Sequence, residues 1–306
     1  MITDYRWVLL GAASGDALAM SSEAEAPHTE RPIGTYRHPS KWHPNASLSP
    51  GQFTDDTQMM MIVADLFAEN NFSNRRYADA LCEAWKKKRF RFPDGAVAHA
   101  CKKICAGELM SGTRTATSGA LPIALPFALA VEDPVRLREK LIEAVSLTHT
   151  HPAVYAAAAS IAGLIQATIQ GHPDPIVAAL AAAQYEDEDL AGRMEQALYL
   201  EETNVSLREA VLRIGNDISV YQTLPLALFL IRRYGVSEDL LPVAASVGGN
   251  CTTIALICGG WAGAKAGFPA LSEDLLEGLE EKDRISMVGS RLFNEYGGRI
   301  NPTGKK

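Results

Sequence analysis

Residues 51–67 read Gly-Gln-Phe-Thr-Asp-Asp-Thr-Gln-Met-Met-Met-Ile-Val-Ala-Asp-Leu-Phe, a polar knot that ends a proline- and glycine-rich stretch and opens an apolar segment. Thr54, Asp55 and Asp56 suit a helix N-cap, where one side-chain oxygen accepts backbone N–H bonds and carboxylates face the positive helix end. Capping needs only one of these side chains. Two adjacent carboxylates at the mouth of a buried helix repel each other unless something neutralises them, and a hard divalent cation such as Mg²⁺, Mn²⁺ or Ca²⁺ does so through oxygen ligands. Capping and metal binding both fit this segment.

Other segments carry polar groups in comparable settings. Gly15-Asp16-Ala17-Leu18 closes the first apolar segment and is followed by Glu23, a loop acid by position. A Gly248-Gly249 turn leads through Asn250-Cys251-Thr252-Thr253 into another very apolar run, and Asn after Gly commonly serves as a cap. Between them lie Thr117-Ser118-Gly119-Ala120-Leu121-Pro122 and Thr148-His149-Thr150-His151-Pro152. His149 and His151 are two apart, so they do not share a helix face, and no second histidine pair completes a zinc site. Cys251 reads as a buried thiol rather than a nucleophile.

The elements that must position these groups are helical. Ala/Leu/Ile-rich segments recur and strand-type alternation is scarce. The periodicity predicts helices at 3–20, 55–70, 74–89, 94–107, 119–131, 134–147, 152–170, 174–184, 187–200, 206–214, 220–234, 237–247, 252–267 and 284–296. Several are apolar nearly all round, as from Ala153 to Ile165, and belong inside a large bundle. One long irregular stretch, Ala24 to Gln52, carries five prolines and lies directly before the acidic knot, which makes it a candidate lid or substrate loop.

Composition is that of a globular chain with a sizeable core: 306 residues, 47% apolar and 21% charged. A net charge of −7 with mixed signs argues against a nucleic-acid surface. The one basic run, Lys86-Lys87-Lys88-Arg89-Phe90-Arg91, reads as a solvated helix end or a phosphate contact. Five cysteines without a C-x2-C pair point to a reducing compartment and mostly buried thiols. No apolar run approaches the roughly 20 residues of a membrane span. The expectation is a cytoplasmic, all-α chain with 1–306 as a single domain.

Taken in order, four blocks resemble the ADP-ribosylglycohydrolase family, which includes the enzyme that reactivates ADP-ribosylated dinitrogenase reductase. They are Gly-Asp-Ala-Leu with Glu23 eight residues after Gly15, Thr-Asp-Asp-Thr-Gln, Thr-His-x-His-Pro, and the Gly-Gly turn before the last long core helix. The resemblance spans roughly residues 5–268. It implies a large orthogonal helical bundle with two Mg²⁺ or Mn²⁺ ions above its core and hydrolysis of a glycosidic bond at C1 of ADP-ribose. By position it makes Thr54, Asp55 and Asp56 ligands of the first metal and Glu23 the mobile acid near the scissile bond. Thr253 becomes the hydroxyl ligand of the second metal, and Ser118, Gly119 and His149 fall where the family contacts diphosphate and ribose.

The chain departs from this pattern at the second metal. Where the family has Asp-x-Asp-Thr, it has Asn250, Cys251, Thr252 and Thr253. Asn250 and Thr252 retain neutral oxygens, but the ligand charge falls by two, so the second metal is expected to be weak or absent. The family's Gly-Asn becomes Thr117-Ser118 in the phosphate region. Three functions follow: a metal-dependent hydrolase of an ADP-ribosyl or ribosyl N-glycosidic bond, on a free or protein-linked substrate; an N-glycosidase of small nucleosides or glycosides using one metal; and an inactive ligand-binding homologue.

Overall fold

The computed structural model of the chain describes residues 4–203 and 205–300, with side chains described to residue 298. Among these, fifteen α-helices follow one another: α1 Arg6–Ala19, α2 Asp55–Ala68, α3 Asn74–Lys86, α4 Gly95–Cys105, α5 Ala124–Ala130, α6 Pro134–Val145, α7 Pro152–Ile169, α8 Ile176–Glu186, α9 Glu188–Glu202, α10 Leu207–Ile214, α11 Val220–Tyr234, α12 Leu240–Ser246, α13 Cys251–Ala266, α14 Glu273–Gly278 and α15 Lys282–Ile300. The described residues form no strands, only two isolated bridges, so the all-α expectation holds.

Each predicted helix has a counterpart, and the differences have local causes. The segment expected at 119–131 begins as a 3-10 turn at Leu121–Ile123, where Pro122 supplies no N–H, and becomes α-helical only at Ala124. The short α14 was not expected; its apolar residues are too few to show a period. The N-terminal residue of the segment expected at 3–20 lies outside the described residues.

Three helices organise the interior. α7 is 18 residues long and apolar enough by composition to cross a membrane, but 83% of it is buried inside the protein, as an all-round apolar core helix should be. α1 and α13 meet backbone to backbone. A Cβ at Gly15 would lie 2.1 Å from the Ala255 carbonyl oxygen, one at Gly11 2.2 Å from that of Gly259, and one at Gly263 2.0 Å from that of Trp7. Only glycine permits this approach. It brings the C-terminal end of α1, with Asp16, against the N-terminal end of α13.

The long segment between α1 and α2 is irregular but well anchored. The Ile33 amide donates to Ser246 Oγ (2.8 Å) and to the Pro242 carbonyl (3.2 Å) of α12, and Tyr36 OH donates to the Leu275 carbonyl of α14 (2.9 Å). Arg91, from the basic run, pairs with Glu280 (2.5 Å) and donates to the Phe53 carbonyl (2.7 Å), clamping the chain just before Thr54. Arg91 is therefore a structural tie rather than part of a solvated helix end. Of the cysteines, Cys101, Cys251 and Cys258 are buried free thiols, while Cys82 and Cys105 form a disulfide. The expectation of mostly buried thiols holds for those three. The pairing of the other two arises because α3 and α4 turn back on each other and bring their Cα atoms to 5.1 Å.

Candidate active site

Thr54 occupies the N-cap of α2, and its Oγ1 accepts a hydrogen bond from the Asp56 amide (3.3 Å). The cap is thus supplied by Thr54, and the carboxylates of Asp55 and Asp56 are surplus to it. Behind the cap sits Asp16, fully buried on α1. Its carboxylate accepts from Thr54 N (3.1 Å), Thr54 Oγ1 (2.8 Å), Thr57 N (3.0 Å) and Thr57 Oγ1 (2.6 Å). Asp16 was visible in its sequence block, but nothing there showed that it holds the start of α2. Both threonine hydroxyls are oriented by it, which turns their lone pairs away from α1.

Glu23 follows the short 3-10 turn after α1. Asn45 Nδ2 donates to its Oε2 (2.6 Å) and Thr252 Oγ1 to its Oε1 (3.3 Å), while His43 Nε2 lies 2.6 Å from its backbone oxygen. His43 and Asn45 come from the proline-rich loop and carried no sequence signal. The Gly-Gly turn fixes the other side. Gly248 and Gly249 have φ of +66° and +56°, where a side chain would be strained, and a Cβ at Gly249 would meet the Asn216 carbonyl oxygen at 2.1 Å. In this conformation Gly249 exchanges hydrogen bonds with Ala24 (2.7 Å) and Glu25 (3.0 Å), so the turn docks the loop that carries Glu23.

At the start of α13 the neutral residues bond to one another and to the acids. Thr253 Oγ1 donates to Asp56 Oδ2 (2.8 Å). Asn250 Nδ2 donates to Ser118 Oγ and to Thr223 Oγ1 (2.8 Å each), and its side chain does not cap α13 although Asn250 is the N-cap residue. Cys251 is buried with Sγ 3.4 Å from the Ala19 carbonyl oxygen, and burial pushes its thiol pKa well up, as expected for a structural thiol.

The structure brings Ser118 to this cluster but sets His149 behind it. His149 is fully buried; Nδ1 lies 2.9 Å from Thr148 Oγ1, and Nε2 lies 2.9 Å from Thr117 Oγ1 and 3.3 Å from Asp94 Oδ2. Asp94 Oδ2 also accepts from the Gly119 amide (3.1 Å). Burial works to raise the Asp94 pKa, but the hydrogen bonds and charge of His149, with those from Thr117 and Ala96, outweigh it and hold the carboxyl below its usual range. Asp94 is thus the residue that joins the two segments holding Ser118-Gly119 and His149. Its only trace in the sequence is Asp-Gly before an apolar helix, a plain N-cap signal.

Four carboxylates, Asp16, Glu23, Asp55 and Asp56, now lie together at the mouth of the bundle. Among the described residues none forms an ion pair, and Arg91, which feels Asp16 at longer range, is committed to Glu280. Burial raises all four; the threonine hydrogen bonds oppose it at Asp16, while repulsion from neighbouring carboxylates adds to it at Asp55 and Asp56, well above the usual range, and at Glu23, pushed up to about 7. Among the described residues, none other than Asp55 itself donates a hydrogen bond to the Asp55 carboxylate. A carboxylate buried without a donor from another residue, beside a second one and a hydroxyl, suits one hard dication, so the donor set Thr54, Asp55 and Asp56 fits Mg²⁺ or Mn²⁺. Among the described residues no three His, Cys, Asp or Glu side chains converge on a common point, so such an ion would rest on two carboxylates plus hydroxyl oxygens. The hydroxyls of Thr252 and Thr253 donate to Glu23 and Asp56, and Asn250 Oδ1 accepts a long contact from Thr253 Oγ1 (3.4 Å).

The sequence matches the profile of ADP-ribosylglycohydrolases over residues 3–302. The chain belongs to the ADP-ribosylglycohydrolase family. Within it, the chain is 28% identical over 298 residues to a protein of Archaeoglobus fulgidus, covering 94% of this chain and 95% of that one. It is 24% identical over 341 residues to the ADP-ribosylhydrolase ARH3 of Danio rerio, covering 97% and 91%, and 24% identical to human ARH3 over 347 residues, covering 96% and 94%. Its fold matches a solved ADP-ribosylglycohydrolase-related protein complex with a TM-score of 0.76, at 22% identity and 96% coverage of this chain. The helical bundle is therefore that of the ADP-ribosylglycohydrolases.

Proposed function

We propose that this member of the ADP-ribosylglycohydrolase family is a metal-dependent hydrolase of an ADP-ribosyl or ribosyl N-glycosidic bond, on a free or protein-linked substrate. The observation that carries the reading is Glu23: a half-buried carboxyl with a pKa pushed up to about 7 by desolvation and by the charge of Asp16, beside the pair Asp55 and Asp56. A group that titrates near neutral pH can both give and take a proton in one cycle. A bound Mg²⁺ or Mn²⁺ supplies a positive centre that orients ribose hydroxyls and offsets the charge of the carboxylates. Thr54, Asp55 and Asp56 would hold it, and Asp16 keeps Thr54 turned towards it.

Breaking the C1 bond builds positive charge on the ribosyl ring, which the surrounding carboxylates favour. Asn45 holds Oε2 of Glu23 at short range, leaving Oε1, on its longer contact with Thr252, as the atom that exchanges a proton with the leaving group or the attacking water. Ser118 and the Gly119 backbone, fixed through Asn250 and Asp94, form the wall available to the rest of the substrate. The test is release of ADP-ribose from ADP-ribosyl-arginine and from ADP-ribosylated protein, and of free base from a nucleoside panel, with Mg²⁺ or Mn²⁺ present. No release from any of these overturns the reading.

The neutral start of α13 favours a second reading, an N-glycosidase of small nucleosides or glycosides with a single ion. It requires faster turnover of a substrate without diphosphate than of any ADP-ribosyl compound. Binding of ligand that is unchanged by chelator, without hydrolysis, would instead make the chain a binder.

A further inference from the structure

The basic run at the end of α3 does more than clamp Glu280. Lys86 and Lys88 line a surface hollow of about 650 Å³ together with Lys102 of α4, and no acidic residue lines it. Its walls are aromatic and apolar: Trp85, Phe90 and Pro93. The volume falls within the roughly 300–1,000 Å³ of small-molecule sites. Among the described residues none of the three lysines has an ion-pair partner, whereas neighbouring Lys87 and Lys103 are paired with Glu83 and Glu108. Lys102 Nζ lies over the Trp85 ring, 5.7 Å from its centre, so cation and ring are held together at the hollow.

Two features make this a built hollow rather than a chance of surface charge. The Cys82–Cys105 disulfide joins α3 to α4, and Cys105 lines the hollow, so cations from two helices are held at fixed spacing. Lys88 also sits at φ +52°, in the left-handed turn that ends α3 and that favours glycine. A lysine there gives up backbone comfort, and the residue lines the hollow.

We propose that this hollow is a second ligand site, distinct from the acidic mouth, that takes a small aromatic phosphate of the nucleoside 5′-phosphate class. The ring stacks on Trp85 against Phe90 and Pro93, and the phosphate lies among Lys86, Lys88 and Lys102. The site does not depend on the proposed hydrolysis.

The probe is 5′-AMP, followed by calorimetry and by quenching of tryptophan fluorescence. The decisive variant combines Lys88→Gly, which suits the left-handed backbone, with Lys102→Glu. It is expected to leave the thermal midpoint and any hydrolytic activity unchanged and to weaken AMP binding by at least about tenfold. Asp55→Asn, which alters only the acidic mouth, should leave that binding intact, and Trp85→Ala should weaken AMP more than inorganic phosphate. The proposal fails if AMP binding survives the double lysine variant. It fails equally if binding is lost in Asp55→Asn, if inorganic phosphate competes on equal terms with AMP, or if a single-stranded oligonucleotide binds more tightly than AMP.

Discussion

The helices α2 and α13 present their N-terminal ends to the same mouth, yet one end is acidic and the other neutral. At α2, Thr54 does the capping and, among the described residues, leaves Asp55 with no donor from another residue and Asp56 with the hydroxyls of Thr253 (2.8 Å) and Thr252. At α13, Asn250, Thr252 and Thr253 satisfy one another, Ser118, Glu23 and Asp56 with neutral hydrogen bonds. The first end is electrostatically incomplete and the second is complete. Two ends of the same kind in the same fold thus differ in whether they call for something from outside.

The comparison is broken most sharply by removing charge from α2. Asp55→Asn with Asp56→Asn should abolish uptake of Mn²⁺, measured by elemental analysis of the dialysed protein, and lower turnover of an ADP-ribosyl substrate by about three orders of magnitude. Retained uptake would mean that the acidic end is not where the ion sits. Glu23→Gln should lower kcat by about a hundredfold while metal content stays at the wild-type level, because it removes a proton carrier and no proposed ligand.

Adding charge to α13 sharpens the contrast instead. Asn250→Asp with Thr252→Asp should raise ion stoichiometry from one towards two per chain. Without metal the same variant should melt below the wild type, because it places two more carboxylates among four unpaired ones. A stoichiometry unmoved by the substitution would show that neutrality at 250 and 252 is not what limits the second ion.

The smallest effect concerns protons. Carboxyls whose pKa values are raised on folding keep their protons in the folded chain after the unfolded chain has lost them. The stability these carboxyls contribute to the metal-free protein is therefore fully present below the ordinary carboxylate value of 4.5 and is lost as pH rises to about 7, the window given by Glu23. A drop of about 5 °C in thermal midpoint across that window is expected, with Mg²⁺ or Mn²⁺ recovering most of it near neutral pH. A flat profile would mean that solvent already relieves the acids.

Much of this was legible in residue order. Helix positions follow from the 3.6-residue pattern because most helices bury one broad face, and α7, apolar all round, was readable as interior. The acidic knot was legible because two adjacent carboxylates exceed what a cap needs. What stayed hidden depends on distant contacts. Asp16 is one acid at the end of a helix until the fold sets four threonine donors around it. Asn45 sits among prolines with nothing to distinguish it, and Asp94 reads as an ordinary cap. Cys82 and Cys105 are 23 residues apart, a spacing that acquires meaning only when α3 and α4 fold back on each other.

The glycine seam between α1 and α13 has a bearing on how such a site can change over generations. With main chain resting on main chain, neither helix can shift to accommodate a new neighbour at its end. Exchanges at 250 or 252 are therefore absorbed where they occur, and the vessel keeps its shape when its contents are altered. The converse is a liability: one methyl group added at Gly15 or Gly259 would force the helices apart and spoil the mouth for any occupant, with no ligand-facing atom replaced.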